Sequence, residues 1–385
     1  MSTVVHSARL VDAGRTVQDA WVRFDAGRVA ATGIGDSWRG FAQPYDTIVD
    51  AVAAAGADAM LTPGFIDIHG HGGAGQSYDD GPDAIRGARA LHRSHGTTRA
   101  VISLVTAPLE VMGRRAAMIA DLASTDADIL GSHLEGPFLD PGHRGAHEET
   151  LLRAPEPAAL ERLLEAGRGT IRQVTLAPEL PGALNAIRMV VGAGAAAAVG
   201  HTGADLAQTR AAFAAGATIL THAFNAMPGL HHRDPGPVAA AAADPRVTLE
   251  VIADGVHLHP EVVRIAFAAA PGRIALVTDA MAAAGHADGR YELGSLGVDV
   301  VDGVARLTVG GAISGSTLTQ DAALRHAVQT GVRLVDAVRA LTATPARAIG
   351  RGEDLGSLAV GSLADAVLLT GAFEVHSVWT AGIAR

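Results

Sequence analysis

From Thr62 onward the chain repeats one pattern eight times: a short apolar run, then a stretch of helical length. The runs are Phe65–His69, Thr98–Leu104, Ile129–Leu134, Gln173–Ala177, Ala195–Gly200, Thr218–Thr221, Val247–Ile252 and Ile274–Thr278. Between them Pro82–Ser94, Leu109–Ser124, Pro157–Ala166, Leu184–Val191, Ala204–Ala215, Val238–Ala243 and Pro260–Ala269 read as helices. Asp321–Thr330 and Leu334–Ile349 add two more after the eighth run. Eight strands alternating with helices specify an α/β fold, a parallel (β/α)8 TIM-like barrel, over residues 62–351. The ends differ. Thr3–Val5, Ala20–Asp25, Arg28–Thr32 and Thr47–Val49 read as short strands broken by Gly and Asp turns. The tail over 356–369 and Val375–Trp379 returns to that character. Residues 1–61 and 352–385 are therefore expected to form one small β-sandwich domain from both chain ends. The Ala/Gly-rich Ala51–Met60 fits either a loop or a bulged strand.

A chain of 385 residues, 48% hydrophobic, can bury a large core, and with 4% aromatics Ala, Val, Leu and Ile must build it. No unbroken apolar run of about 18 residues occurs, so no transmembrane helix is expected. No basic-then-apolar start suggests a signal peptide. The absence of cysteine excludes disulfides, Cys–zinc sites and thiol nucleophiles, and makes a cytoplasmic location the expectation. A net charge of −10 argues against nucleic acid and anionic membrane as partners. An anionic substrate would need a local positive patch. All 30 basic residues are arginine, so no Schiff-base lysine, phosphate-loop lysine, Ser–Lys pair or carboxylated-lysine metal bridge can form.

In such a barrel the chemistry lies at the C-terminal ends of the strands. The first run ends in His69-Gly70-His71, two imidazoles one residue apart, and alternate strand residues share a face. The third ends in His133-Leu134-Glu135-Gly136-Pro137 and the fifth in Gly200-His201-Thr202. The sixth ends in Thr221-His222-Ala223-Phe224-Asn225-Ala226-Met227. The seventh leads to Asp254-Gly255-Val256-His257, and the eighth ends in Thr278-Asp279. Four histidines and two carboxylates on one rim suit one or two divalent metal ions, zinc foremost, with Fe, Mn, Co or Cd as alternatives.

These stretches, with Pro63–Gly73, Gly145–His147, Arg233–Gly236 and Ile313–Leu318, resemble the amidohydrolase superfamily, and within it the N-acetylglucosamine-6-phosphate deacetylase family. The resemblance spans nearly the whole chain. It implies hydrolysis of an N-acetylated sugar phosphate to the amine and acetate, with Glu135, His201 and His222 as principal metal ligands. His69 and His71 match a second metal position that some members occupy, which Glu135 would bridge. Asp279 matches the catalytic acid/base and is counted with the metal ligands. His257 matches a residue near the substrate carbonyl and phosphate. Ala146 and His147, Asn225 and Ala226, and Ile313 and Ser314 match sugar-contacting segments. Arg233 matches a phosphate ligand reaching into a neighbouring subunit, which implies a homodimer.

Gly70-x-Gly72-x-x-Gly75 formally fits a dinucleotide fingerprint, but no acidic partner follows about 20 residues on. These glycines are expected to clear space beside the histidine pair. His92, His95, His133, His231, His232, His259 and His286 receive no role. An epimeric sugar phosphate such as N-acetylgalactosamine 6-phosphate, a cyclic-amide hydrolase and a non-catalytic scaffold remain the alternatives. The lack of lysine speaks against the second, and the intact ligand set against the third.

Overall fold

The computed structural model describes residues 2–385. Eight strands form one parallel sheet: β1 (Phe65–Asp67), β2 (Thr97–Val105), β3 (Ile129–Glu135), β4 (Ile171–Leu176), β5 (Ala196–Val199), β6 (Ile219–Leu220), β7 (Thr248–Val251) and β8 (Ile274–Leu276). Each pairs in parallel with its sequence neighbour, the order of a TIM barrel. Side chains make the joint between β1 and β8. Thr278 Oγ1 donates to Asp67 Oδ2 (2.6 Å), and Gln320 Nε2 lies 3.2 Å from the carbonyls of Ile66 and Leu276. Just past the strand ends, the Asp279 N–H donates to the His69 carbonyl at 2.8 Å.

The period-two alternation of strands divides this barrel into two environments. Ile102, Leu104, Leu134, Val174, Leu176, Leu249 and Val251 belong to the large core shared with the surrounding helices. Their neighbours Ser103, His133, Glu135, Gln173, Thr175 and Glu250 are also buried, on the opposite, inner side. The helices carry local signals of their own. The helix Leu206–Ala215 opens with a capping box between Asp205 and Gln208 and closes on Gly216 at φ 117°. Pro82–Ser94 opens with proline and Asp83, and ends with Arg93, matching its dipole.

Several strands end earlier than expected. β6 keeps only two residues and β8 three, and past their ends His222 (φ 26°) and Asp279 (φ 47°) leave the extended conformation, as His201 (φ 48°) does after β5. The left-handed region is disfavoured for non-glycine residues and recurs at functional sites.

The strands of both chain ends join in one eight-stranded sheet. Val22, Phe24, Leu61, Leu368 and Trp379 share its core. Met60–Pro63 is its central crossing strand, pairing with both Thr3–Asp12 and Ala366–Leu369. Ala51–Met60 is neither a loop nor a bulged strand throughout. Ala51–Ala55 is a short helix, since alanine favours helix and the Asp50 carboxylate caps the N–H groups of Val52 and Ala53.

One element was not expected at all. After β8, Gly289–Leu293, Leu296–Val301 and Val304–Leu307 form an antiparallel three-stranded flap. Its Leu293, Val298, Val300 and Ala305 pack on Val105, Met281 and Ala283 of the barrel. The flap carries the Ile313–Ser314 segment, because the Ser314 N–H donates to the Ala305 carbonyl.

Candidate metal centre

His69, His71, Glu135, His147, His201, His222 and Asp279 are all buried at the C-terminal end of the barrel. Glu135 is the hub. Its Oε1 lies 3.2 Å from His69 Nε2, 3.2 Å from His201 Nε2 and 3.3 Å from His222 Nε2. Its Oε2 lies 3.1 Å from His71 Nε2 and 3.6 Å from His147 Nε2. Asp279 Oδ1 stands 3.2 Å from His71 Nε2 and 3.5 Å from His69 Nε2. Two donor groups of metal-binding size result: His69, His71 and Asp279, and Glu135, His147 and His201.

The outer hydrogen bonds decide which way the imidazole lone pairs point. His69 Nδ1 faces Glu250 Oε2 at 2.9 Å, and a carboxylate only accepts, so Nδ1 carries the hydrogen. His201 Nδ1 faces the His143 carbonyl at 3.0 Å, with the same consequence. Thr106 Oγ1 donates to the Glu135 carbonyl, so at 2.8 Å it accepts from His147 Nδ1. In their neutral forms all three rings therefore turn an Nε2 lone pair toward the Glu135 carboxylate. His222 and His201 bring their Nε2 atoms within 2.9 Å of each other. Such a gathering of lone pairs around a carboxylate is repulsive unless cations lie among them, so the donor set fits one or two divalent metals.

Charge compensation in the metal-free protein points the same way. Burial pushes Glu135 up, but His69, His201 and His222 outweigh it and hold the carboxyl well below its usual range. Asp279 is likewise held low against its burial, by His69 and His71. His71 is pushed up to about 9, since Asp279 and Glu135 overcome its burial. His147 falls to about 3 because burial strips its charged form of water and His201 adds repulsion.

The centre forms the floor of a cavity of about 420 Å³. His71, Glu135, His201, His222 and Asp279 line it together with Ala146, His147, Asn225, Ala226, His257, Ile313 and Ser314. Fourteen scattered positions expected at one site are thus gathered there, except two: His69 lies just beneath, and Arg233 stays outside. Arg233 is exposed on the loop after β6, its Nη1 2.7 Å from His232 Nε2. His147, expected at the sugar, also stands among the metal-donor atoms. His257 is oriented by Asp254, whose Oδ2 is 2.7 Å from its Nδ1. Burial lowers the His257 pKa, but Asp254 more than reverses this and raises it.

The glycines after His69 behave as spacers. A Cβ on Gly72 would stand 2.3 Å from the Gln76 carbonyl oxygen, and one on Gly70 3.1 Å from Thr278 Oγ1. Sequence reasoning missed Glu250, Gln173 and Thr106. A lone carboxylate inside the apolar run Leu249-Glu250-Val251 was the available signal. His133, given no role, is buried between Ser103 Oγ (2.9 Å) and Thr175 Oγ1 (2.8 Å).

Comparison with known proteins places this geometry. The amidohydrolase family profile matches residues 60–384. The N-acetylgalactosamine-6-phosphate deacetylase of Escherichia coli O157:H7 is 43% identical over 329 residues, 84% of this chain and 87% of that protein. The N-acetylglucosamine-6-phosphate deacetylase of Vibrio furnissii is 37% identical over 338 residues, 86% and 84% respectively. Among solved structures, a mutant N-acetyl-D-glucosamine-6-phosphate deacetylase of Mycobacterium smegmatis, in complex with N-acetyl-D-glucosamine-6-phosphate, superposes with a TM-score of 0.92 at 41% identity. The match covers 100% of this chain and 99% of that one. With a profile match across most of its length and a histidine–carboxylate centre on the barrel rim, the chain belongs to the amidohydrolase family.

Proposed function

We propose that this protein hydrolyses the N-acetyl group of N-acetyl-D-glucosamine 6-phosphate, giving D-glucosamine 6-phosphate and acetate in amino-sugar catabolism. The observation that carries the proposal is the arrangement of Asp279. It shares the cavity floor with the histidine–Glu135 centre, and the sugar-sized space above is lined by His147, Asn225, Ala226, Ile313 and Ser314. A bound divalent metal lowers the pKa of water to about 7 and polarises a carbonyl oxygen. Zinc is the ion we assign, on the imidazole and carboxylate donors.

The chain's own groups do the rest. Asp279, held deprotonated beside His69 and His71, takes a proton from the attacking water and returns it to the departing amine. That transfer lets the C–N bond break to leave a neutral amine. His257, whose Nδ1–H donates to Asp254, carries an N–H at Nε2 when the ring is protonated, the form that Asp254 favours, and in that form offers it to the acetyl oxygen or the phosphate. Among the described residues lining the cavity there is no arginine, and the chain has no lysine. Beyond its histidines the cavity thus offers a phosphate no cationic side chain, and we assign Arg233 of a second copy in a homodimer. A cytoplasmic setting suits a cysteine-free chain, and among the described residues no helix is long and apolar enough to cross a membrane.

The 43% identity to an N-acetylgalactosamine-6-phosphate deacetylase favours a second reading, the C4 epimer as substrate. Acetate release from both 6-phosphates and from unphosphorylated N-acetylglucosamine, by zinc-loaded protein, separates these. The glucosamine phosphate should be turned over fastest. Preference for the galactosamine epimer would establish the second reading, and no acetate from either phosphate would overturn both. Arg233→Ala should weaken turnover of the phosphorylated sugar on the order of 10- to 100-fold, as for a lost charged hydrogen bond. The unphosphorylated sugar should be unaffected; equal loss for both would remove the assigned role.

A further inference from the structure

Below the metal centre, Glu250 projects from β7 into the barrel and is fully buried. Its Oε2 lies 2.9 Å from His69 Nδ1 and accepts the backbone N–H of His222 at 3.2 Å. Its Oε1 accepts from Gln173 Nε2 at 2.7 Å. One carboxylate is thus gripped from the end of β1, from β4 and from the turn after β6. These partners reach both donor groups: His69 belongs with His71 and Asp279, while His222 stands beside His201 and Glu135 of the other.

Folding alone gives no reason for a carboxylate here. The flanking Leu249 and Val251 are core residues, and burying an ionised group costs several kcal/mol before its partners offset it. A well-packed apolar residue in such a place is often neutral or stabilising. Gln173 also gives something up, since its Oε1 is buried without a hydrogen-bond partner while its Nε2 serves Glu250. His222 holds φ at 26°, a conformation that needs outside support, and the charged bond from its N–H to Glu250 supplies it.

We infer that Glu250 is a positioning residue for both halves of the metal centre: it fixes His69 as the Nδ1–H form and holds the His222 backbone in its left-handed turn. Its negative charge, relayed through His69, also makes Nε2 a stronger donor. This rests on the proposed metal centre, and the test separates the two.

Zinc dissociation constants and stoichiometry are measured by chelator competition on the full chain, for wild type, Glu250→Gln and Glu250→Ala. Temperatures well below each variant's melting transition are used, so that a loss of stability alone does not move the constants. Glu250→Gln keeps the size and one acceptor oxygen, and its new NH2 group can meet Gln173 Oε1 once that amide turns over. The expected result is about 10-fold weaker zinc binding for Glu250→Gln and about 100-fold for Glu250→Ala, the range found when such supporting groups are removed. With zinc in excess, kcat should fall while KM for the sugar phosphate holds, because Glu250 does not line the cavity. Wild-type zinc affinity in Glu250→Ala would overturn the inference, and Glu250→Leu, which refills the space with an apolar side chain, decides if the alanine variant fails to fold; wild-type affinity in Glu250→Gln would remove the part assigned to the charge. Wild-type protein that takes up no zinc would instead overturn the metal centre itself.

Discussion

At the scale of single residues, the site is defined by which nitrogen of each imidazole carries the hydrogen. His69, His147 and His201 are each fixed from outside, by Glu250, Thr106 and the His143 carbonyl. Asp279, held deprotonated beside His69 and His71, lines the cavity and is the carboxylate placed to take a proton there. Asp279→Asn should therefore lower kcat by 10²–10⁴ or more while sugar-phosphate binding stays measurable by calorimetry. Retained turnover would dismiss Asp279 as the acid/base. The histidine pair carries the pH dependence. In the metal-free protein His71 is raised to about 9, so below that pH a metal must displace a proton from it. Apparent metal affinity should rise as the pH climbs toward about 9, with protons released on loading that an indicator dye can count. The stability linkage has the opposite slope. The raised pKa stabilises the metal-free fold fully below the ordinary imidazole value of 6.5, and that contribution is lost as the pH rises through about 9. Melting temperatures of metal-free protein across this window check the sign.

At the scale of elements, the barrel strands were legible because each is a short apolar run between helices. Their C-terminal ends were legible because polar residues interrupt the runs there. The strand lengths were not, since nothing in the residue types announces that His201, His222 and Asp279 take positive φ. The flap was missed for a different reason. Its strands are only half-buried, and the alternation of buried Val298 and Val300 with Asp299 and exposed Val301 is short and set among Gly and Asp. Glu250 and Gln173 escaped notice because their partners are distant in sequence and meet only inside a closed barrel. The flap's attachment can be tested. Val298→Ser removes a fully buried apolar contact worth about 1.5–3 kcal/mol between flap and barrel. KM should rise several-fold, since Ile313 and Ser314 hang from the flap, with a smaller change in kcat. An unchanged KM would show that the flap does not hold that segment at the sugar.

At the scale of the whole molecule, the barrel and the sheet from the chain ends are tied by charge as well as by apolar contact. Arg99 on β2 reaches Asp365 through two bonds, Nε to Oδ2 at 2.6 Å and Nη2 to Oδ1 at 2.9 Å, both groups buried. Arg99→Ala alone strands a buried carboxylate and should cost about 3–5 kcal/mol, read as a lowered denaturation midpoint. The double change with Asp365→Ala should cost less than the sum of the two single changes; simple additivity would mean the pair is not coupled.

The joint between β1 and β8 also belongs to the whole ring. Seven neighbouring strand pairs are laced by strand ladders, whereas the eighth is joined by Asp67, Thr278 and Gln320 within the strands and by backbone bonds from Asp279 to His69 and from His71 and Gly72 to Ala280 just past them. His69 and Asp279 sit on the two lips of that joint, so the ring's least continuous arc is also where one donor group is split between two strands. The backbone bonds just past the strands close the ring at the level of the donors, so the same few bonds that complete the circle also hold one donor group together.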